Sequence, residues 1–188
     1  MVYILLAEGF EEMEALAPAD LLRRAGIDVA LVGLDATAVT GGHGITVTTD
    51  LTLDQVRLVP TDMLVLPGGM GGVTNLQNSS AAMALIQSAY DQSCWLAAIC
   101  AAPTLLGRLG ILDGRSAVCY PGMEGQLGQA DPHPERHVVV DGRVITSRAA
   151  GSAFEFGFTL VEVLTNLTKA EEIRNGIHYF SGKNSAAC

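Results

Sequence analysis

The sequence predicts a single α/β domain in which a mostly parallel, doubly wound sheet carries helices on both faces. Short apolar runs alternate with segments of helical spacing along the whole chain, which is typical of parallel sheets. The runs VYILLA (2–7) and DMLVLPGG (62–69) begin as buried strands, as expected where helices cover both faces. The 188 residues, of which 49% are hydrophobic, suffice for one domain (1–188) with a sizeable core.

The individual elements follow in the order of strand, loop and helix. Apolar runs predict strands at 2–7, 28–34, 62–69 and 94–99, with a short run at 116–119 and an alternating, half-exposed strand at 45–53. Helical spacing predicts helices at 12–26, 80–92, 102–112, 152–168 and 169–180. Asp-Gly between two β-branched runs predicts a hairpin at 138–147, after a polar loop at 125–137.

Charge, hydropathy and cysteine spacing argue against several classes of protein. A formal net charge of −9 argues against a nucleic-acid partner, which needs clustered Lys and Arg. The chain has no window of 18 apolar residues for a transmembrane span, and its first residues lack the basic region of a signal peptide. We therefore expect a cytoplasmic protein that does not bind membranes and whose cysteines are free thiols, because no Cys-x-x-Cys pair occurs. The cysteines are Cys94, Cys100, Cys119 and Cys188.

The stretch WLAAICAAPTLLGRL (95–109) places Cys100 where a buried strand turns into a helix. In an open α/β sheet functional groups collect at the carboxyl ends of the strands. A cysteine at such a turn is the thiol analogue of the nucleophile elbow of hydrolases. Amides at the start of the following helix favour an anion and would lower the pKa of the thiol. The alternative is that Cys100 is only a small core residue.

The glycine-rich PGGMGG (67–72) follows another buried strand. It lacks the Gly-Lys-Ser/Thr ending of a phosphate-binding loop and the Gly-x-Gly-x-x-Gly spacing of a dinucleotide fold. Its free backbone amides would suit an oxyanion hole beside the cysteine. A plain tight turn is the alternative.

The acidic segment EEME supplies Glu11, Glu12 and Glu14 after the first strand. Residues three apart share a helix face, so Glu11 and Glu14 point in roughly the same direction while Glu12 turns away. For each of them alone, a solvated surface or a role in capping the helix is the alternative to catalysis.

The histidines offer neither a recognisable metal site nor a catalytic partner for Cys100. His133 and His137 lie four apart, but in a proline-rich polar loop rather than on a helix. A cysteine-histidine hydrolase needs a histidine at a nearby strand end, and the segment after SAVC (116–119) has Tyr120 instead. We expect no metal and no cofactor.

Four segments of the chain together resemble the ThiJ/PfpI superfamily, and within it the branch of the Parkinson-disease protein deglycase. They are AEGFEEMEALAPADLLRRAGIDV, DMLVLPGGMGG, LAAICAAPTLL and ITSRAAGSAFEFGFTLVEVL, in the same order from about Tyr3 to Leu167. The resemblance implies a flavodoxin-like sandwich, a homodimer, and Cys100 as the reactive cysteine at the elbow.

The resemblance also implies roles for further residues. Glu14 matches a glutamate that is protonated and donates a hydrogen bond to the thiolate or its sulfinate. A carboxyl beside a thiolate in a partly buried site should indeed have a raised pKa. Gly69 and Ala101 match the positions whose amides form the anion pocket. Arg24 matches an arginine near the dimer contact, and Arg148 one in the TSR turn.

The chain departs from many members of the superfamily at Tyr120, where they carry a histidine. This removes the obvious general base, so any proton transfer must use Glu14, the thiolate, Tyr120 or water. Protease activity, known in other branches, loses support.

Two functions use these same residues. In the first, the Cys100 thiolate adds to a small reactive dicarbonyl such as methylglyoxal or glyoxal, and Glu14 shuttles a proton to give lactate or glycolate without glutathione or metal. The same chemistry would remove early glycation adducts from proteins. In the second, the protein is a non-enzymatic sensor of oxidative stress or a chaperone, in which peroxide carries Cys100 to a sulfinic acid held by Glu14.

Overall fold

The apolar runs of the sequence form a central sheet of seven strands in the computed structural model, which describes residues 1–179. The strands of the protein are β1 Val2–Leu6, β2 Val29–Gly33, β3 Ala38–Thr40, β4 Thr46–Thr48, β5 Leu51–Thr52, β6 Met63–Leu66, β7 Trp95–Ile99, β8 Ser116–Ala117, β9 Asp131–Pro132, β10 Val138–Asp141 and β11 Val144–Ser147. The central sheet has the order β10-β11-β7-β6-β1-β2-β5, and only the β10–β11 hairpin is antiparallel. Two separate pairs, β3–β4 and β8–β9, lie outside it.

Helices cover both faces of this sheet. They are α1 Glu12–Arg24, α2 Met70–Asn78, α3 Ser80–Asp91, α4 Pro103–Arg108, α5 Ala153–Leu164 and α6 Leu167–Gly176. Side chains of α1, α5 and α6 share one core with Ile4 and Leu6 of β1, and those of α2, α3 and α4 share the other with Tyr3 and Leu5. The predicted doubly wound, flavodoxin-like sandwich is confirmed. Within residues 1–179, none of the helices combines the length and apolar composition that crossing a membrane requires.

The predicted strand at 45–53 is wrong as a single element. The chain instead forms β4, which pairs with β3, and then β5, which joins the edge of the central sheet beside β2. The turn between them is held at Asp50, whose backbone N–H donates to the carbonyl of Leu31 and whose carboxylate accepts the N–H of Leu31. The residues that the sequence assigned to one half-exposed strand thus belong to two different sheets.

The glycine-rich segment at 67–72 contains more than a turn, because α2 begins at Met70. Gly71 and Gly72 are poor helix formers. Tertiary packing accounts for them here, since a Cβ at Gly72 would lie 2.9 Å from the Cα of Phe10. The helix therefore starts close against the loop that follows β1. Cys188 and the last residue of the predicted helix at 169–180 lie outside the described residues.

Candidate active site

Cys100 lies at the end of β7, immediately before the turn into α4. Its φ of 65° falls in the left-handed region that residues other than glycine rarely adopt. Backbone hydrogen bonds fix this conformation, because the N–H of Cys100 donates to Ser147 (2.9 Å) and its carbonyl accepts from Tyr120 (2.8 Å). The strained turn holds the thiol at the carboxyl edge of the sheet, as the sequence predicted for an elbow.

The thiol faces a cleft of about 500 Å³ at this edge. The cleft brings together the ends of several elements that are distant in sequence. Its lining consists of Glu11, Glu14, His43, Gly69, Met70, Cys100, Ala101, Tyr120, Ala149, Ala150 and Gly151. Five of the predicted site residues therefore meet here, and they are Cys100, Glu14, Gly69, Ala101 and Tyr120.

Glu14 is a fully buried carboxyl on α1. Its Oε2 accepts a hydrogen bond of 2.8 Å from the N–H of Gly68, while its Oε1 has no hydrogen-bond partner among residues 1–179. Burial raises the pKa of Glu14 to about 7, against hydrogen bonds with Cys100 and Gly68 that lower it, and the charge of Glu11 adds to the rise. Near neutral pH the carboxyl can therefore both hold and release a proton.

The prediction that the pKa of the Cys100 thiol is lowered is wrong. Burial, and after it the charge and hydrogen bond of Glu14, raise the pKa of the Cys100 thiol to about 12. The amides of Ala101 and Gly69 donate to the sulfur and act in the opposite direction. Two adjacent buried groups cannot both be anionic at low cost, so thiol and carboxyl titrate as a coupled pair. When Glu14 holds a proton, its charge no longer opposes the thiolate.

Two consecutive glycines allow these groups to approach one another. A Cβ at Gly68 would lie 2.6 Å from Oε2 of Glu14 and 2.7 Å from Cβ of Cys100. Gly69 has a φ of +84°, and a Cβ there would lie 2.5 Å from the carbonyl oxygen of Gly9. Within the segment that the sequence assigned to an oxyanion hole, position 68 is therefore restricted to glycine by the reacting side chains, and position 69 by the backbone of the loop after β1.

Replacing Gly69 with alanine should lower the free energy of unfolding by about 3–5 kcal/mol, because left-handed strain and overpacking add. Gly26→Ala is the matched control, since Gly26 also has a positive φ (+77°) but no atom of residues 1–179 within 4 Å of its added Cβ. The control substitution should lower the free energy of unfolding by only about 1–2 kcal/mol. Urea unfolding of both variants measures the difference. Equal losses would show that the close approach at Gly69 is not the constraint.

One side of the cleft is formed by His43, whose role the sequence did not reveal. Its Nδ1 lies 2.9 Å from Oε2 of the buried Glu12 and 3.3 Å from Oε2 of Glu11. The hydrogen bond to Glu12 and the charges of both carboxylates raise the pKa of His43. Glu12 also accepts the backbone N–H groups of His43 and Ile45, so it fixes the turn between β3 and β4 against α1. His43 reaches α1 because β3 pairs with β4. No sequence motif indicates this position of His43.

The acid–histidine group is also the place where a metal ion would fit best by spacing. Ligand atoms of Glu11, Glu12 and His43 lie within 4.8 Å of one another, the one such group of three in residues 1–179. The carboxylate of Glu12 is already bound to His43 and to backbone amides, and the group forms at the start of α1, where the helix dipole disfavours a cation. The contacts among these three residues are therefore those of a turn held to α1 by ion pairs, and not those of a metal site.

Three other predicted site residues, Tyr120, Arg24 and Arg148, lie in different parts of the structure. Tyr120 lines the cleft and is 49% exposed. Arg24 is exposed on α1, where it pairs with Asp20, and Arg148 is half-buried beside the strand end. Neither arginine lines the cleft of its own chain.

Comparison with known proteins matches this architecture. The sequence profile of the DJ-1/PfpI family matches residues 1–163. Protein dj-1beta of Drosophila melanogaster is 40% identical over 176 residues, covering 93% of this chain and 94% of that protein, and a protein of Pyrococcus horikoshii named a deglycase is 30% identical over 164 residues, covering 87% and 98%. The crystal structure of Drosophila melanogaster DJ-1beta has a TM-score of 0.90 and 38% identity, covering 96% of this chain and 98% of that one. The chain therefore belongs to the DJ-1/PfpI family, which confirms the resemblance indicated by its four motifs.

Proposed function

We propose that the protein is a cysteine-dependent enzyme that converts reactive dicarbonyls such as methylglyoxal to hydroxy acids without glutathione. One observation carries this proposal: a thiol and a carboxyl with a pKa of about 7 occupy the same cleft, beside two backbone amides. A nucleophile, a proton carrier and an anion site are the three parts that the reaction needs. The deglycase name of relatives supports a carbonyl substrate.

In the first step the Glu14 carboxylate takes the proton of the Cys100 thiol, and the resulting thiolate attacks the aldehyde carbon of methylglyoxal. The electron pair of the carbonyl double bond moves onto its oxygen, which the amides of Gly69 and Ala101 stabilise. Glu14 gives its proton to that oxygen, and a hemithioacetal forms. The partly protonated state of Glu14 suits this step, because the same group must be a base in the next one.

In the second step the Glu14 carboxylate removes the hydrogen of the former aldehyde carbon as a proton. The electron pair forms a double bond to the former ketone carbon, whose oxygen becomes an enolate. Glu14 returns the proton to that carbon, and the hydroxyl proton of the former aldehyde carbon passes to the enolate oxygen, which gives a thioester of lactate on Cys100. One carbon is oxidised and its neighbour is reduced, so no external oxidant or reductant is required. Water then hydrolyses the thioester and restores the thiol.

A redox sensor that uses the same pair is the alternative. Peroxide would oxidise the Cys100 thiolate, and the protonated oxygen of Glu14 would donate to the resulting sulfinate. The half-exposed thiol and the unpartnered Oε1 of Glu14 suit this reaction too. We also propose that the protein is a cytoplasmic homodimer in which Arg24, exposed on α1, contacts the second copy.

The wild-type protein should form lactate from methylglyoxal over many turnovers, with metal-free protein and no glutathione present. Methylglyoxal loss and chiral detection of lactate would be followed together, because an enzyme that protonates one face yields one enantiomer in excess. Consumption that stops after about one equivalent per Cys100, the stoichiometry of a single covalent adduct, would contradict turnover and favour the sensor.

A further inference from the structure

We infer that the charge of Glu11 makes the cleft select uncharged 2-oxoaldehydes over those that carry a carboxylate, such as 4,5-dioxopentanoate. The inference rests on the proposed function, because it concerns the substrate class of the same site. It assigns to Glu11 a role in specificity that is separate from the proton transfer by Glu14.

The formal charge of the cleft comes from a small set of side chains. The cleft is lined by the carboxyls of Glu11 and Glu14 and by the imidazole of His43, and no lysine or arginine of residues 1–179 lines it. The side chain of Glu11 is 16% exposed, so its charge is only partly screened by water. Its field reaches the reacting groups, since it contributes to the raised pKa of Glu14.

His43 does not cancel this charge. It is one cation at most, and it lies between two carboxylates, 2.9 Å from Glu12 and 3.3 Å from Glu11. The three side chains together therefore keep a net negative charge even when the imidazole is protonated. The two arginines of α1 lie outside the cleft and are already paired, Arg23 with Asp50 and Arg24 with Asp20.

The backbone holds Glu11 beside the anion site. Its N–H donates to the carbonyl of Gly68 (3.0 Å), which directly precedes Gly69 in the amide-bearing segment. A substrate whose carbonyl oxygen lies on the amides of Gly69 and Ala101 must place its remaining atoms within the same cleft. A carboxylate on those atoms meets uncompensated negative charge, whereas a methyl group or hydrogen does not.

Competitive alkylation of Cys100 tests the charge selection without relying on turnover. A mixture of iodoacetamide, which is neutral, and isotope-labelled iodoacetate, which is anionic, would react with the protein, and mass spectrometry of the Cys100 peptide would give the ratio of products. Relative to free N-acetylcysteine, the wild type should favour the neutral reagent by on the order of tenfold. In Glu11→Gln this preference should fall most of the way to the free-thiol value.

Glu162→Gln is the matched control, because Glu162 is exposed on α5, does not line the cleft, and changes the net charge equally. It should keep the wild-type ratio. A wild-type ratio equal to that of N-acetylcysteine, or one that Glu11→Gln leaves unchanged, would overturn the inference.

The ratio of kcat/KM for methylglyoxal to that for 4,5-dioxopentanoate, a 2-oxoaldehyde that carries a carboxylate, should fall by on the order of five- to tenfold in Glu11→Gln. Failure of the proposed function has a different signature: no lactate forms from any protein, while the alkylation ratio still depends on Glu11. If lactate forms but Glu11→Gln changes neither the kcat/KM ratio nor the alkylation ratio, charge selection is rejected and the proposed enzymatic function is retained.

Discussion

Cys100→Ser should leave the fold intact and reduce lactate formation from methylglyoxal by at least about a thousandfold. The serine hydroxyl fits the same strained turn, but it is a far weaker nucleophile than a thiolate. No second thiol can replace it, because the other cysteines in residues 1–179 are buried and do not line the cleft. The rate would be measured as lactate release under saturating methylglyoxal.

Cys94→Ser is the control for the loss of a buried thiol. The sulfur of Cys94 donates to the carbonyl of Val59, a hydrogen bond that a serine hydroxyl can make as well. This variant should keep nearly the wild-type rate. Cys100→Ser that retained a tenth or more of the activity would show that the sulfur does not form the covalent bond, and the proposed first step would have to be abandoned.

Glu14→Gln should separate two properties of the site by moving them in opposite directions. Lactate formation should fall by about 10²–10⁴-fold, the range for loss of a general acid–base, because glutamine cannot carry the proton. Alkylation of Cys100 by iodoacetamide above neutral pH should become faster instead. Removal of the Glu14 charge, which helps to raise the pKa of the thiol, exposes the opposing effect of the two amides.

This combination distinguishes a proton carrier from a merely structural residue. A collapsed site would slow both reactions, and a spectator at position 14 would change neither. Unchanged lactate formation together with faster alkylation would assign Glu14 to tuning the thiol alone.

The same variant should change the dependence of stability on pH. The pKa of Glu14 rises from 4.5 to about 7 on folding, so the folded protein binds this proton more tightly than the unfolded chain does. The resulting stability is fully present below pH 4.5 and is lost as the pH rises through about 7, by up to about 3 kcal/mol. Glu14→Gln removes this titration. The free energy of unfolding of the variant, measured in urea, should therefore increase relative to that of the wild type as the pH rises.

The order of strands and helices could be predicted because the buried strands are continuously apolar and the helices carry regular spacing. The same pattern located most of the site, since parallel strands end at one edge and three motif-bearing segments follow such ends. Cys100, Glu14 and Gly69 therefore meet as expected, although they are far apart along the chain.

Features that depend on pairing between short polar segments could not be predicted in this way. The position of His43 requires β3 to pair with β4, and both strands are only three residues long and partly exposed. The pKa of Cys100 depends on how deeply the thiol is buried and how close Glu14 lies, which sequence spacing does not contain. The sequence identified the amides that favour the thiolate but not the stronger effects against it.

The left-handed conformation of Cys100 and the buried, unpartnered oxygen of Glu14 have a consequence for efforts to engineer this protein. Both features make the folded chain less stable than its composition allows. A glycine at position 100 would relieve the first and an apolar side chain at position 14 the second, and each would remove a reacting group. Selection for melting temperature alone would thus enrich inactive chains, so libraries of this protein should hold both positions fixed.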